Sequence, residues 1–304
     1  MSGMLESAVF ARLPRGGLGN KLLVWARALI FAHQCGLPLF VTGWSDIKIG
    51  PYLRAERSKR QYWGYFDNRA APSLLRQFLF SYFYDVHHEC DLESDQPKSL
   101  QTLKQLYLYD TVPSWRDYFK GLRGCENFVR SAFYNMLRPR YRSELDIAKW
   151  PVIGVHIRRS DFREMNAGES LGENCNVRTP IAYYLEVISS LRRMAGQILP
   201  VTVFTDGHAG DVAEILELPG VVMADPNPDI IDLILLSKSK FLVTSMGSTF
   251  SYWAAYLSEG HVIIHPSHKI SIRSESINSN RYEGPITSDK SCNSKLADLI
   301  DDII

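Results

Sequence analysis

The segment His156-Ile157-Arg158-Arg159-Ser160-Asp161 brings an imidazole, two guanidinium groups and a carboxylate together on one short stretch of chain. Arginine is always charged and grips oxyanions through paired N–H groups, so adjacent arginines suit a diphosphate. Taken alone, the spacing fits a surface ion pair with Asp161 equally well, a contact worth about 0–1 kcal/mol. The run TSMGSTFSYWAAYL at 244–257 tilts the balance toward an anion site. It sets glycine and small hydroxyl residues between a strand-like and a helix-like stretch, so that backbone N–H groups at a helix N-terminus could face a phosphate.

A second glycine-rich turn, Arg15-Gly16-Gly17-Leu18-Gly19-Asn20-Lys21, lacks the GK[ST] ending of a phosphate-binding P-loop. The strand expected after it ends Phe40-Val41-Thr42, without the acidic residue that would hold a nicotinamide-dinucleotide ribose. That disfavours a dehydrogenase. The turn is either structural or a place where backbone approaches a ligand.

The elements that must position these residues follow from hydrophobic pattern. In the second half, β-branched apolar runs at 152–157, 200–205, 220–224, 240–244 and 261–265 read as strands. Thr179-Pro180 reads as an N-cap and first helical residue, opening a helix that ends near Gly196. Further helices are expected at 209–217, 229–238 and 248–258. Alternating strands and helices imply a parallel sheet covered on both faces. Ligands bind beyond the carboxyl ends of such strands. Those ends carry His156 to Asp161, then Thr205 and Asp206, then Asp225, then Ser245 to Thr249. Asp206-Gly207 alone would be read as a turn.

The first half begins in the same way, with a strand at 8–13, a buried helix from Asn20 to Gln34 stopped by Gly36, and a strand at 38–42. Residues 45–150 are aromatic-rich and read as largely helical, with 114–137 the clearest helix. The aromatic stretch at 74–84 is core or, alternatively, a membrane contact. The expected fold class is α/β, with two Rossmann-like domains, residues 1–150 and 151–304, meeting near Lys149-Trp150-Pro151, and a cleft between them as the expected ligand site.

Composition sets bounds on function. The 304 residues are 45% hydrophobic and 22% charged, with a formal net charge of +1. Nothing there calls for nucleic acid as a partner, so an anion site must come from a local basic cluster. The five cysteines, Cys35, Cys90, Cys125, Cys175 and Cys292, are scattered without metal-ligand spacing and read as reduced thiols of a cytoplasmic protein. No signal peptide and no transmembrane run is expected. Peripheral association at the inner face of the membrane stays open.

GGLGNK, YWGYF at 62–66, HIRRSD and the run DLILLSKSKFLVTSMGSTFSYWAAYL, in this order, resemble the bacterial α-1,2-fucosyltransferases, glycosyltransferase family eleven, within the wider fucosyltransferase superfamily. The resemblance implies an α/β fold of the GT-B type, two Rossmann-like domains facing a central cleft, with donor binding mainly by the C-terminal half and the N-terminal half on the acceptor side. It also implies inverting transfer of L-fucose from GDP-β-L-fucose to a sugar hydroxyl, without metal or other cofactor. The acceptor would be an oligosaccharide or glycolipid, as in O-antigen synthesis. By the same resemblance His156 lies beside the nucleotide and Arg158 binds the diphosphate, with Arg159 and Asp206 on the donor side. Asp232 would receive guanine N–H groups, and Ser248 and Thr249 would bind phosphate. Gly16, Gly17 and Asn20 would line the donor from the N-terminal half.

Asp161 and Glu164 are the nearest candidates for a group that activates the acceptor hydroxyl. Asp161 could equally serve only to orient an arginine. Lys21 replaces the family's usual glutamine, Asp67 stands where glutamine is common, a single Asp206 stands where paired acids are frequent, and the tail after Pro266 does not follow the family. A different GDP-sugar donor, or a non-catalytic nucleotide- or glycan-binding protein on this fold, are the competing readings.

Overall fold

A computed structural model describes residues 7–44, 62, 64–67, 71–73, 77, 80, 82–89, 104–115, 118–172, 176–268, 270–286, 296, 299 and 300. The described residues up to 138 cluster into one compact unit and those from 139 onward into another.

In the first unit, strand β1 (Ala8–Arg12) leads through the glycine turn into helix α1 (Leu18–Cys35) and back into β2 (Leu39–Thr42), which pairs parallel with β1. The helix begins at Leu18 rather than Asn20, so part of the glycine turn is its first turn. Gly36 ends it in the left-handed region, as its position predicts. Two further strands, β3 (Tyr84–His88) and β4 (Lys104–Tyr109), complete a parallel sheet in the order β2-β1-β4-β3. They correct the expectation of a largely helical 45–150. Alternation is visible in the middle of β4, where Leu106 and Leu108 are buried on either side of the less buried Tyr107, before Tyr109 is buried as well.

The expected helix at 114–137 shrinks to α2 (Glu126–Asn135). Gly124 sits at φ 90°, a conformation no helix contains, and its N–H donates to Glu126 Oε2 at 2.9 Å. The chain therefore turns just before α2. In the 74–84 stretch, Phe80 lies in the core, its ring centroid 5.7 Å from Phe10 and 5.5 Å from Phe40. Tyr82 and Phe83 are exposed, and residues 74–76, 78, 79 and 81 lie outside the described residues.

The second unit opens with α3 (Pro139–Asp146) and continues through β5 (Ile153–Ile157), α4 (Ile181–Ala195) and β6 (Val201–Thr205). A 3₁₀ turn (Ala209–Val212) and the single-turn α5 (Ala213–Leu216) stand where one helix over 209–217 was expected. Then come β7 (Val221–Met223), α6 (Asp229–Ser237), β8 (Phe241–Val243), α7 (Thr249–Leu257), β9 (His261–Ile263), the single-turn α8 (Glu275–Asn278) and β10 (Glu283–Gly284).

All described pairings of this sheet are parallel, in the order β10-β9-β8-β5-β6-β7. Read from β7, this is the 3-2-1-4-5-6 order of a Rossmann sheet. All five β5 residues are buried, Gly154 and His156 on one face, and on the other the apolar side chains of Ile153, Val155 and Ile157 beside Val201 and Val203 of β6, as covering on both faces requires. Each such side chain contributes about 1.5–3 kcal/mol on burial.

The tail beyond β9 is tied in by charge. Arg273 is fully buried, its Nε 3.0 Å from Glu283 Oε2, while Nη1 and Nη2 donate to the Gly260 and Tyr282 carbonyls. Such a buried pair holds because its lone pairs and protons are satisfied.

Candidate functional site

In a 3-2-1-4-5-6 sheet the chain leaves strands 1 and 4 in opposite directions, opening a crevice at their carboxyl ends. Here those strands are β5 and β8. Their ends carry His156 to Asp161 and Ser245 to Thr249, so the two segments read from sequence as anion-binding stand at the switch point.

Ser245 ties the two strand ends together. Its hydroxyl donates to the His156 carbonyl at 2.9 Å, accepts the Arg158 N–H at 2.9 Å and lies 2.6 Å from the Tyr184 hydroxyl. The turn that follows spends its amides internally. The N–H groups of Ser245, Met246 and Gly247 donate to the Ser251, Thr179 and Tyr252 hydroxyls respectively (3.2, 2.9 and 2.7 Å), and that of Ser248 to the Ser245 carbonyl (3.3 Å). Thr179, expected as the cap of α4, thus serves this turn instead. The N-cap of α4 is Pro180.

The anion-binding capacity of α7 is therefore narrower than its sequence implies. It resides in the amides at the start of the helix, Thr249 and Phe250, and in the Ser248 hydroxyl, which makes no cap bond. Gly247 sits at φ 74°, which lets the chain turn into the helix.

The two arginines part company. Arg158 keeps its guanidinium at the strand end, where Nε and Nη2 contact Asp161 Oδ1 at 2.9 and 2.8 Å and Nη1 lies 2.9 Å from Asp206 Oδ2. Three of its five N–H groups are engaged there, leaving two for a ligand. Arg159 turns inward, is buried, and donates from Nη1 to the Thr179 carbonyl at 3.0 Å. The expectation of two arginines side by side at the donor is corrected. Neighbouring side chains on extended backbone point to opposite sides.

Asp206, at the end of β6, organises the turn after β5. Its Oδ1 accepts the Arg159 and Ser160 N–H groups at 2.8 and 3.4 Å, and its Oδ2 accepts the Ser160 hydroxyl. Burial alone would raise its pKa. The Arg158 charge and the hydrogen bonds from Ser160 and Arg159 outweigh that and hold the carboxyl below its usual range.

His156 is buried against Phe250, ring centroids 5.1 Å apart, and its Nδ1 has no partner among the described residues. Burial pulls the imidazole pKa down to about 3; Asp206 opposes this and Arg158 reinforces it, so the ring is neutral at physiological pH.

Glu164 lies apart from this cluster. It is largely exposed and pairs with Arg178 at 2.6 Å, while Arg178 Nε donates to the Arg159 and Phe162 carbonyls. An exposed pair of this kind contributes little. Glu164→Gln is therefore expected to keep the wild-type turnover within about twofold, checked by steady-state kinetics; a hundredfold loss would return Glu164 to the chemistry.

Asp232, in the first turn of α6, accepts from Asn227 Nδ2 at 3.2 Å.

In the first unit, Asn20 lies over Gly16, and its Oδ1 is buried without a partner among the described residues. Gly17 is the N-cap of α1, with open space where a side chain would stand. Tyr62, from YWGYF, accepts the Leu18 N–H at 2.8 Å. Lys21 is fully buried, and its ammonium donates to the carbonyls of Pro14 (2.9 Å) and Gly43. The residue that departs from the family's glutamine therefore staples the glycine turn to the end of β2.

The profile described as glycosyl transferase family 11 matches residues 92–275, more than half of the chain. The protein belongs to that family and is a glycosyltransferase. A Caenorhabditis elegans glycosyltransferase, C06E1.7, is 23% identical over 283 residues, covering 85% of this chain and 74% of the relative. Among solved structures, NodZ α-1,6-fucosyltransferase crystallised with GDP aligns with a TM-score of 0.51 at 16% identity over 86% of this chain and 95% of its own. The Bradyrhizobium NodZ fucosyltransferase aligns with the same TM-score and identity over 87% and 98%. The fold is thus GT-B, as the resemblance implies.

Several residues that shape the site carried no signal of their own in the sequence. Ser160 and Phe250 lay inside segments already singled out. Tyr184 and Tyr252 lie within the helices expected from 180 and at 248–258. Thr179 read as a cap.

Proposed function

We propose that the protein transfers L-fucose from GDP-β-L-fucose to a sugar hydroxyl, with inversion and α-1,2 linkage. The observation that carries the donor assignment is the junction of β5 and β8, where the Ser245 hydroxyl binds the backbone of His156 and Arg158 and so ties the strand end that carries the Arg158 guanidinium to the turn that leads into α7. The diphosphate takes the two remaining Arg158 N–H groups, the Thr249 and Phe250 amides and the Ser248 hydroxyl. Asp232, steadied by Asn227, reads the guanine N–H groups. The neutral His156 ring offers Nδ1 to the nucleotide. Support for GDP comes also from NodZ, which crystallised with GDP.

As the glycosidic C–O bond breaks, negative charge gathers on the β-phosphate. A fixed guanidinium and oriented amides stabilise it without reorganising. Asp161, bound to Arg158 through two N–H groups, orients that guanidinium, and we assign it this role rather than that of acceptor base. Residues 151–304 form the donor half, and 1–150, with Gly16, Gly17 and Asn20, the acceptor half. An oligosaccharide or glycolipid is the acceptor. We place the reaction in the cytoplasm, in keeping with the free thiols Cys35 and Cys125. Among the described residues, no helix is long and apolar enough to cross a membrane.

Thermal unfolding with GDP, UDP, NAD, GDP-fucose and GDP-mannose tests the donor. GDP and GDP-fucose at about a hundred times Kd should stabilise the fold by about 2.7 kcal/mol. Stabilisation by UDP or NAD but not by GDP would sink the reading. Incubation with GDP-fucose and GDP-mannose then separates the sugars by product, and linkage analysis of that product tests α-1,2.

A further inference from the structure

The turn that delivers the chain into α7 is held from behind by a residue of the tail. The Gly247 N–H donates to the Tyr252 hydroxyl oxygen at 2.7 Å. That oxygen lies 2.9 Å from Nδ1 of His268 and 3.6 Å from Sδ of Met246, and the Tyr252 and His268 rings are 4.7 Å apart. Both side chains are buried. A hydroxyl has one hydrogen to give, and an imidazole nitrogen is a far better acceptor than a thioether. Burial pulls the His268 pKa down to about 4, the Ile270 carbonyl opposing, so at neutral pH the ring is uncharged and able to accept at Nδ1. The hydroxyl proton then points at His268 and its oxygen lone pairs face Gly247. With the opposite tautomer or a charged ring, Nδ1–H would donate to the hydroxyl oxygen, and the hydroxyl proton would be left with Met246 Sδ, a far weaker acceptor.

Gly247 is the left-handed residue of the turn, and the amides of Thr249 and Phe250 follow directly from its conformation. We propose that His268 is a positioning residue for the donor diphosphate, acting through Tyr252 to fix the Gly247 turn and so the direction of the α7 N-terminal amides. This rests on the reading of that N-terminus as the diphosphate cradle. It gives the tail beyond β9 a part in the site.

The test uses Tyr252→Phe, His268→Leu, His268→Asn and the Tyr252→Phe/His268→Leu double variant of the full chain. Two readouts are followed: hydrogen exchange of the Gly247 amide, and the Kd for GDP by calorimetry. Loss of one hydrogen bond predicts Gly247 exchange about five- to tenfold faster, and GDP binding weaker by a similar factor, in Tyr252→Phe and His268→Leu. The double variant should be no worse than either single one, because both break the same chain. His268→Asn, whose amide oxygen can stand in for Nδ1, should stay within about twofold of wild type on both readouts.

Unchanged Gly247 exchange in both single variants overturns the proposal. So does faster exchange with unchanged GDP affinity. Failure of the wild-type protein to bind GDP overturns the diphosphate reading instead, while the exchange data still judge the hydrogen-bond chain. Should His268→Leu fail to fold, Tyr252→Phe keeps the ring stack and carries both readouts.

Discussion

Arg158→Ala is expected to lower kcat for transfer by about 10²–10³-fold, the typical loss when one preorganised donor to a developing oxyanion is removed. Two effects act in the same direction. The β-phosphate loses its guanidinium partner just as charge builds on it. The carboxylates of Asp161 and Asp206, which Arg158 now neutralises at 2.8 to 2.9 Å, are left facing the incoming diphosphate as bare negative charge. Folding should survive, because the Arg158 N–H would still donate to Ser245 and the side chain packs into no core cluster. Arg158→Lys is expected to recover little, since a single ammonium cannot span two carboxylates and a phosphate in one plane. Steady-state kinetics with GDP-fucose, paired with thermal unfolding of each variant, checks this. Wild-type turnover in a folded Arg158→Ala protein would remove Arg158 from the mechanism.

The asymmetry between Arg158 and Arg159 shows where a sequence stops being legible. That the segment lies at a strand end follows from the apolar run before it and from the next strand starting at Val201, a helix later. That the two arginines diverge follows from backbone geometry once the turn is known, but which one faces the ligand depends on Asp206, nearly fifty residues away. Asp206 claims the Arg159 N–H, and the Thr179 carbonyl claims its guanidinium. Ser245 and Thr179 are similar cases. Each looks locally like a cap or turn residue, and each spends its hydroxyl on a partner that only the sheet order brings near.

The same limit explains β3 and β4. Parallel strands find their partners through connections too long for local pattern to specify, and β3, Tyr-Asp-Val-His-His, has too little apolar content to announce itself. By contrast, β5 to β9 and the helices α4, α6 and α7 are legible because they are apolar and regularly alternating. Even there, the availability of each amide at the α7 turn is not, since it depends on the hydroxyls of Ser251 and Tyr252 within α7 and of Thr179 far back in the chain.

Asp206→Asn isolates the residue on which that arrangement turns. Its carboxylate accepts from two amides and one hydroxyl, with Arg158 Nη1 2.9 Å away. The amide that replaces it keeps one acceptor oxygen and sets an NH₂ against Arg158 or Ser160. Ser160 can rotate its hydroxyl to accept; a guanidinium cannot. Loss of hydrogen bonds to a charged group predicts destabilisation by about 1.5–3 kcal/mol. A guanidinium freed on one side should also lower turnover, by about tenfold or more.

The pH dependence identifies charge as the cause. The Asp206 pKa is depressed on folding, from 3.8, so its contribution is present above that value and is lost as pH falls through the folded pKa. His156 works over a wider window with the same sign. Its pKa falls from 6.5 to about 3, so the neutral ring favours the fold at neutral pH and the advantage fades as pH drops below 6.5. Removing the carboxylate also removes the pull that holds the His156 pKa up, but this acts only near and below pH 3, where the folded ring takes up its proton. Urea unfolding of wild type and Asp206→Asn from pH 7 down to 3 should therefore show the full gap at neutral pH, narrowing only below 3.8, where wild type loses what the variant never had. A gap that is constant across the whole range would mean that shape, not charge, makes Asp206 necessary.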